Sequence, residues 1–308
     1  MPSTLKIRKQ IRSVANIKKI TKAMELVSAA KMQKAVSAVL ASRPFSKLAW
    51  QLVLAIASKT NPRLHKLLAP KTKINRIGIL LFSSNRGLCG VFNQQIVRHA
   101  LTYLKNQSTA AAATQFEFIT VGKKGAQLVA SHNAQIIADF AKSDIITDIN
   151  AIRPISKLIL DQYLNKHFDQ VVLIYTDFIS SLKQQPQIKQ ILPIVTARPV
   201  DLGEVGRQSE KTPVSTPENR WNYKYIFEPS AAIVLDNFLP RLIELQIYQA
   251  ILESNASEHS ARMFAMRNAA DAATDLISDL TLSFNKIRQS SITQEISEIT
   301  ISKVALEG

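Results

Sequence analysis

The chain has 308 residues, 46% of them hydrophobic, which is enough for a sizeable core and excludes wholesale disorder. Its 39 Lys+Arg against 23 Asp+Glu leave a net charge of +16, an excess that calls for a large acidic partner: nucleic acid, an anionic membrane or an acidic protein surface. The single cysteine, Cys89, excludes an intramolecular disulfide, the N-terminus lacks the apolar core of a signal peptide, and no apolar run approaches the ~20 residues of a membrane span.

From Ser3 to Arg43 there is neither glycine nor proline. Ile7, Ile11, Val14, Ile17, Ile20, Met24 and Val27 recur in steps of three and four, the narrow stripe of a coiled-coil seam, on a helix of about 60 Å. Pro44 predicts a bend, after which Phe45–Ser58 reads as helix again. The texture then changes. Arg76–Phe82 is a short apolar strand ending in the turn-rich Ser83-Ser84-Asn85-Arg86-Gly87. Val91–Leu104, Lys124–His132 and Ile152–Lys166 read as helices between further strands at Phe116–Val121, Gln135–Phe140 and Gln170–Tyr175, with an edge strand near Pro186–Ile194. Strand alternating with helix predicts a parallel, doubly wound sheet, a Rossmann-like α/β domain over 75–200. Residues 201–228 carry the proline- and glycine-punctuated loop. After Pro240 no breaker appears until Gly308, and Met266, Ala270, Ala273, Leu276, Leu280, Phe284 and Ile287 repeat at threes and fours, extended by Ile292, Ile296 and Ile299. An N-terminal helix over 1–58 and a C-terminal one over 229–308 therefore bury their stripes as a long antiparallel coiled coil.

Signals for chemistry are thin. Neither G-x-x-x-x-G-K-[ST] nor G-x-G-x-x-G occurs, and Gly87/Gly90 and Gly122-Lys123-Lys124-Gly125 read as tight turns. The five histidines are scattered, without H-E-x-x-H or paired cysteines, so no metal or other cofactor is expected. Cys89 beside Arg86 reads as a reactive thiol or, without a histidine partner, as a structural one. Charge is more informative: residues 1–50 hold eleven basic side chains, Lys18, Lys19 and Lys22 among them, against Glu25 alone. An ordinary solvated helix mixes both signs, so this one-sidedness points to an acidic partner along the helix. DNA is the rival partner, but basic-region motifs place charge and zipper in succession, whereas here they overlap. A nucleotide-dependent enzyme built on the α/β domain is a third reading.

Ile11-Arg12-Ser13-Val14, Lys19-Ile20-Thr21-Lys22-Ala23-Met24 and Val27-Ser28-Ala29-Ala30-Lys31-Met32 resemble the opening helix of γ subunits of F-type ATP synthases. Arg86-Gly87-Leu88-Cys89-Gly90 with Phe92-Asn93 resembles that family's central signature. The C-terminal end is most similar: Ala261-Arg262-Met263, Ala265-Met266, Asn285-Lys286, Arg288-Gln289 and Ile292-Thr293-Gln294-Glu295-Ile296-Ser297-Glu298-Ile299, with Glu228-Pro229 before the last helix. The chain departs from the family pattern at Asn85, usually aspartate, at Val91, often glycine, at Ile17-Lys18, a polar Thr-Gln pair elsewhere, and in a longer loop over Gly203–Arg220.

The resemblance implies a non-catalytic rotor shaft turning inside a ring of α and β subunits, with its foot on the membrane c-ring, the ε subunit alongside and no nucleic acid. It places Lys18, Lys19, Lys22, Met24, Arg288, Gln289, Thr293 and Glu295 against the catalytic head, Arg86 and Cys89 near β-subunit loops, and Tyr225 and Glu228 near the rotor ring. The pattern begins almost at Met1 and the paired cysteines of redox-regulated chloroplast members are absent, so a bacterial chain is expected, peripheral on the cytoplasmic side of the inner membrane.

Overall fold

The computed structural model describes residues 4–57, 65–69, 71, 73–110, 114–144, 148–194 and 230–307. They form two compact units, Met1–Ser28 with Arg262–Gly308, and Ala29–Ala261. Two helices contribute to both: α1, Thr4–Ala57, and α5, Ala231–Glu307.

The larger unit is built on five strands: β1 (Arg76–Phe82), β2 (Gln115–Val121), β3 (Gln135–Phe140), β4 (Gln170–Phe178) and β5 (Gln184–Leu192). Their order is β3-β2-β1-β4-β5, all pairings parallel except β4 with β5. The expected parallel sheet is thus mixed at one edge. The turn between β4 and β5 is too short for a crossover, which leaves antiparallel pairing as the only option. Helices α2 (Phe92–Ala110), α3 (Lys123–Ala130) and α4 (Arg153–Leu164) fill the connections.

Strand β1 is buried on both faces and divides its side chains between two cores. Ile77, Ile79 and Leu81 pack with Ile96, Val97 and Ala100 of α2 and Val129 of α3. Leu80 and Phe82 pack on the opposite side with Ile155, Ile159 and Tyr163 of α4 and Leu239, Ile243 and Ile247 of α5. Gly78 keeps the second face open, because a Cβ there would lie 2.9 Å from the Phe168 ring.

Each long helix carries a proline within it, and at Pro44 the sequence predicts a bend with helix on both sides. Pro44 lies inside α1 and Pro240 inside α5. Each removes one backbone donor, but Leu235, Leu239, Leu242 and Ile243 bracket Pro240 in the core, and Val39, Ser46 and Ala49 bracket Pro44 as buried positions. Packing of that face offsets the lost hydrogen bond.

The smaller unit is a two-helix coil. On α1 the buried or half-buried positions include Ile7, Ile11, Val14, Lys18, Thr21, Glu25 and Ser28, with Ala15 and Met24 half-buried beside them; on α5 they include Met266, Ala270, Ala273, Ile277, Leu280, Phe284, Ile287 and Ser291. The named sets alternate steps of four and three, a heptad. The Arg8 guanidinium sits 5.4 Å from the Phe284 ring centroid. A parallel pairing would then bury α5 from 284 onward, but that stretch is exposed after Ser291, so the helices run antiparallel.

The seam departs from its expected phase. Ile17, Ile20 and Val27 are 50%, 59% and 55% exposed, and Lys18, Thr21 and Ser28 occupy the seam instead. Each step of three falls about 60° short of a full helical turn, so two in succession, from Val14 to Ile20, carry the apolar stripe off the buried face. Leu276 is likewise exposed and Ile277 replaces it. Ile292, Ile296 and Ile299 do not extend the seam: they are exposed.

Candidate functional site

The carboxyl edge of the sheet, where β1 ends at the switch in strand order, is the position at which open α/β sheets usually hold a ligand. Here the chain's own side chains fill it. Ser83 Oγ donates to the Gly122 carbonyl at 2.8 Å and accepts from the Gly125 amide at 2.9 Å. A Cβ on Gly122 would lie 2.6 Å from the Ser83 carbonyl oxygen, and one on Gly125 2.5 Å from Ser83 Oγ. Gly122 also takes φ +114°, a region that other residues rarely adopt. The Lys124 amide donates to the Ser84 carbonyl at 2.9 Å. The glycine pair therefore serves Ser83, and the amides that a phosphate would seek at the start of α3 are taken.

The loop after β1 sorts its residues by depth. Asn93 accepts from the Ser84 amide and donates to Ser84 Oγ at 2.7 Å and to Cys89 Sγ at 3.2 Å. Cys89 is 1% exposed, so the expected contact through its thiol is not available: the side chain fixes the loop from inside. Arg86, Leu88 and Val91 point outward instead, Leu88 at φ +62° and Gly90 at φ +58°. An apolar residue in the left-handed region stores strain, which is typical of loops held for a purpose.

Asn85 explains its own departure from the family pattern. Its Nδ2 donates to the Lys142 carbonyl while its Oδ1 accepts from the Lys142 amide at 3.3 Å. An aspartate offers only the second of these bonds.

Beyond that clasp lies a polar cluster that sequence reasoning missed. Lys142 is buried; its Nζ lies 2.8 Å from Glu258 Oε2, 3.4 Å from Ser254 Oγ and 5.9 Å from the Phe92 ring centre. Lys31 of α1 pairs with Asp144 at 2.8 Å, and this hydrogen bond holds the Asp144 carboxyl below the usual carboxylate range. His259 Nε2 lies 3.0 Å from the Asp144 carbonyl oxygen. From Gln249 to Ser260 every residue of α5 is buried. Glu253, wholly inside, accepts from Gln249 at 2.9 Å, and burial together with the charge of Asp177 pushes its pKa up to about 8. A run such as Glu253-Ser254-Asn255 followed by Ser257-Glu258-His259-Ser260 reads as a solvated face; the available signal was its lack of any polar-to-apolar periodicity.

On the two-helix unit, Lys19 and Lys22 are exposed, Lys18 and Met24 half-buried. Lys22 pairs with Glu25 at 2.8 Å, whereas Lys9, Arg12, Lys18 and Lys19 meet no acidic side chain among the described residues. Arg288, Gln289, Thr293 and Glu295 are exposed on α5 just past Ile287, and the Thr293 hydroxyl donates to the Gln289 carbonyl at 2.9 Å. Met24, Lys18, Lys19 and Lys22 thus share α1, and Arg288 to Glu295 share the free end of α5, while Arg86 belongs to the other unit. Tyr225 and Glu228, with the 201–228 loop, lie outside the described residues.

At the amino edge of the sheet a shallow cavity of about 370 Å³ is lined by Asn75, Arg76, Gln115, Lys166, His167 and Asp169. Asp169 accepts there from the amides of Asn75 and Arg76 and pairs with Lys71 at 2.9 Å. Among the described residues no group of three His, Cys, Asp or Glu could hold a metal ion, and no helix is long and apolar enough to cross a membrane.

Comparison with known proteins agrees along the whole chain. A family pattern described as ATP synthase matches residues 3–306. The chain is 39% identical over 302 residues to an ATP synthase gamma chain of Dehalococcoides mccartyi, covering 97% of this chain and 98% of that one. It is 37% identical over 313 residues to the gamma chain of Herpetosiphon aurantiacus, covering 99% of each. In fold it is similar to a chain of the mitochondrial ATP synthase OSCP/F1/c-ring structure of Euglena gracilis, with a TM-score of 0.64, 18% identity and coverage of 98% and 94%. With a two-helix coil, a mixed α/β domain and sequence identity of this extent from end to end, the chain belongs to the ATP synthase gamma-chain family.

Proposed function

We propose that this chain is the central shaft of a proton-transporting ATP synthase and carries no catalytic group of its own. The observation that carries this reading is the surface of the two-helix unit. Exposed Ile17, Ile20 and Val27 lie on the same helix as cations without acidic partners among the described residues, and the free end of α5 exposes Ile292, Ile296, Ile299 and Ile301. A solvated coil gains nothing from that combination; a coil turning inside a protein sleeve gains apolar contact and electrostatic steering together.

The sleeve is formed by the α and β subunits, the foot rests on the c-ring, and the ε subunit completes the rotor. The membrane is met only through the ring, on the cytoplasmic face of the bacterial inner membrane. Lys18, Lys19, Lys22 and Met24 on α1, and Arg288, Gln289, Thr293 and Glu295 on α5, face the head. Arg86 faces the β subunits, with Leu88 and Val91 as its outward neighbours in place of the thiol of Cys89. Tyr225 and Glu228 serve the ring contact. Exposed ion pairs contribute about 0–1 kcal/mol each, which suits a surface that must make and release many contacts per turn. Arg288 and Gln289 offer a rigid five-donor fork beside a donor–acceptor amide, a means of catching a β-subunit carboxylate in one rotary position and releasing it in the next.

The nucleic-acid reading is set aside, since the curated relatives matched end to end are ATP synthase chains. A tagged chain recovered from detergent-solubilised membranes should bring α and β subunits with it. Recovery without them, or salt-sensitive binding to duplex DNA at physiological ionic strength, would overturn the proposal.

A further inference from the structure

The buried stretch of α5 from Gln249 to Ser260 has a property that core helices rarely combine with full burial: its polar side chains reach different elements of the surrounding unit. Gln249 Oε1 accepts from Ser42 of α1 at 2.7 Å. Ser257 donates to the Thr176 carbonyl of β4 at 3.2 Å. Ser260 donates to the Ser181 carbonyl in the β4–β5 turn at 2.6 Å and accepts from Gln184 of β5 at 3.2 Å. Glu258 and Ser254 hold Lys142, and His259 meets Asp144, both in the segment after β3. Partners therefore surround the helix.

Apolar packing is non-directional and tolerates sliding, whereas hydrogen bonds weaken steeply with misalignment. Turning α5 by one residue position rotates it about 100°. That would leave Lys142 and Glu258 buried without each other, which is strongly destabilising, although the pair itself adds little net stability over a well-packed apolar substitute. A buried pair of this kind is better suited to fixing an angle than to holding a fold.

We propose that this polar belt is a rotational lock: it sets the angle at which α5 is held against the sheet, so that torque passes between helix and α/β domain without slip. Lys142 and Glu258 are its principal positioning residues, and Asn85, bonded to the Lys142 backbone at both amide and carbonyl, keeps the lysine in place. The inference rests on the shaft reading above.

The test uses the assembled complex in membrane vesicles. The variant Lys142→Met/Glu258→Leu replaces the pair with apolar groups of similar size, and Lys142→Glu/Glu258→Lys exchanges the charges. In the apolar variant, recovery of α and β subunits, the melting temperature and ATP hydrolysis should match the parent. Protons pumped per ATP should fall about two-fold or more, and the rotary dwell angles should broaden. The exchanged pair should recover most of the pumping ratio. Parental pumping and dwell width in the apolar variant would overturn the lock, as would a loss that the exchange does not recover or that follows a lowered melting temperature. Should the apolar variant fail to assemble, Ser257→Ala/Ser260→Ala removes directional bonds at little cost in volume, and unchanged pumping there would equally refute the proposal. Loss of α and β recovery from the parental chain would instead count against the shaft reading.

Discussion

Replacing Glu253 by glutamine should stabilise the protein near neutral pH and leave it unchanged in mild acid. Glu253 is 0% exposed, and its pKa rises from 4.5 to about 8 through burial, then the charge of Asp177. Its raised folded-state pKa fixes the sign. From 4.5 upward the unfolded chain releases the proton while the folded chain keeps it, so stability falls with pH until the folded group also ionises near 8. At about 1.36 kcal/mol per pH unit, the penalty at pH 7 reaches roughly 3 kcal/mol as an upper bound. Glutamine is neutral throughout, keeps an acceptor for Gln249 and supplies a donor toward Asp177. Urea melts of the purified chain between about pH 5 and pH 8 provide the assay. The variant should match the parent at the acid end and gain on it steadily as pH rises. An equal change at every pH would show that Glu253 keeps an ordinary pKa in the folded chain, and a loss that grows toward pH 8 would show that it is held as a buried carboxylate; either outcome contradicts the raised pKa.

Gly122→Ala should cost about 1–3 kcal/mol, read from the urea midpoint, because it forces a side chain into φ +114° against the Ser83 carbonyl; a neutral substitution would mean that the turn relaxes freely. Gly87→Ala, with no atom within 4 Å of the added Cβ, should change stability by about 0.5 kcal/mol or less and serves as the control. Lys18→Gln/Lys19→Gln/Lys22→Gln should lower coupled ATP synthesis and flatten its salt response while shifting stability by about 1 kcal/mol or less, the range of a surface pair such as Lys22–Glu25. Arg288→Ala/Gln289→Ala keeps a good helix former in α5, so assembly should survive while turnover falls and one rotary dwell changes; parental dwells would reduce both residues to plain surface.

Much of the fold was legible because the responsible signals are local. The bounds expected for β1 and β3 match those observed, since each is a short apolar or alternating run closed by turn residues. The helical ends were legible from the absence of breakers, and Pro44 and Pro240 stay inside their helices because tertiary packing offsets the loss of one hydrogen bond each. The phase of the α1 seam was legible only in the two successive steps of three from Val14 to Ile20, because Ile17, Ile20 and Val27 are as apolar as the buried Ile7 and half-buried Ile11 and Val14. The polar belt was hidden for the converse reason: burial of Glu253 and Glu258 depends on partners about 70 to 120 residues away in sequence, such as Asp177 and Lys142, which no periodicity encodes. At the site, Arg86, Arg288 and Gln289 are exposed, whereas the depth of Cys89 follows from Asn93 and Ser84 closing the loop over it.

Rotation of this chain inside the complex can be observed directly. Cys89 is 1% exposed, so a thiol introduced by Ser131→Cys, at the exposed end of α3, is the preferred labelling site. With the α and β subunits of the complex fixed to a surface and a bead on that thiol, ATP should drive the bead in one direction in discrete steps, at a rate that follows ATP hydrolysis. Continued hydrolysis with the bead stationary, or diffusing without direction, would contradict the account.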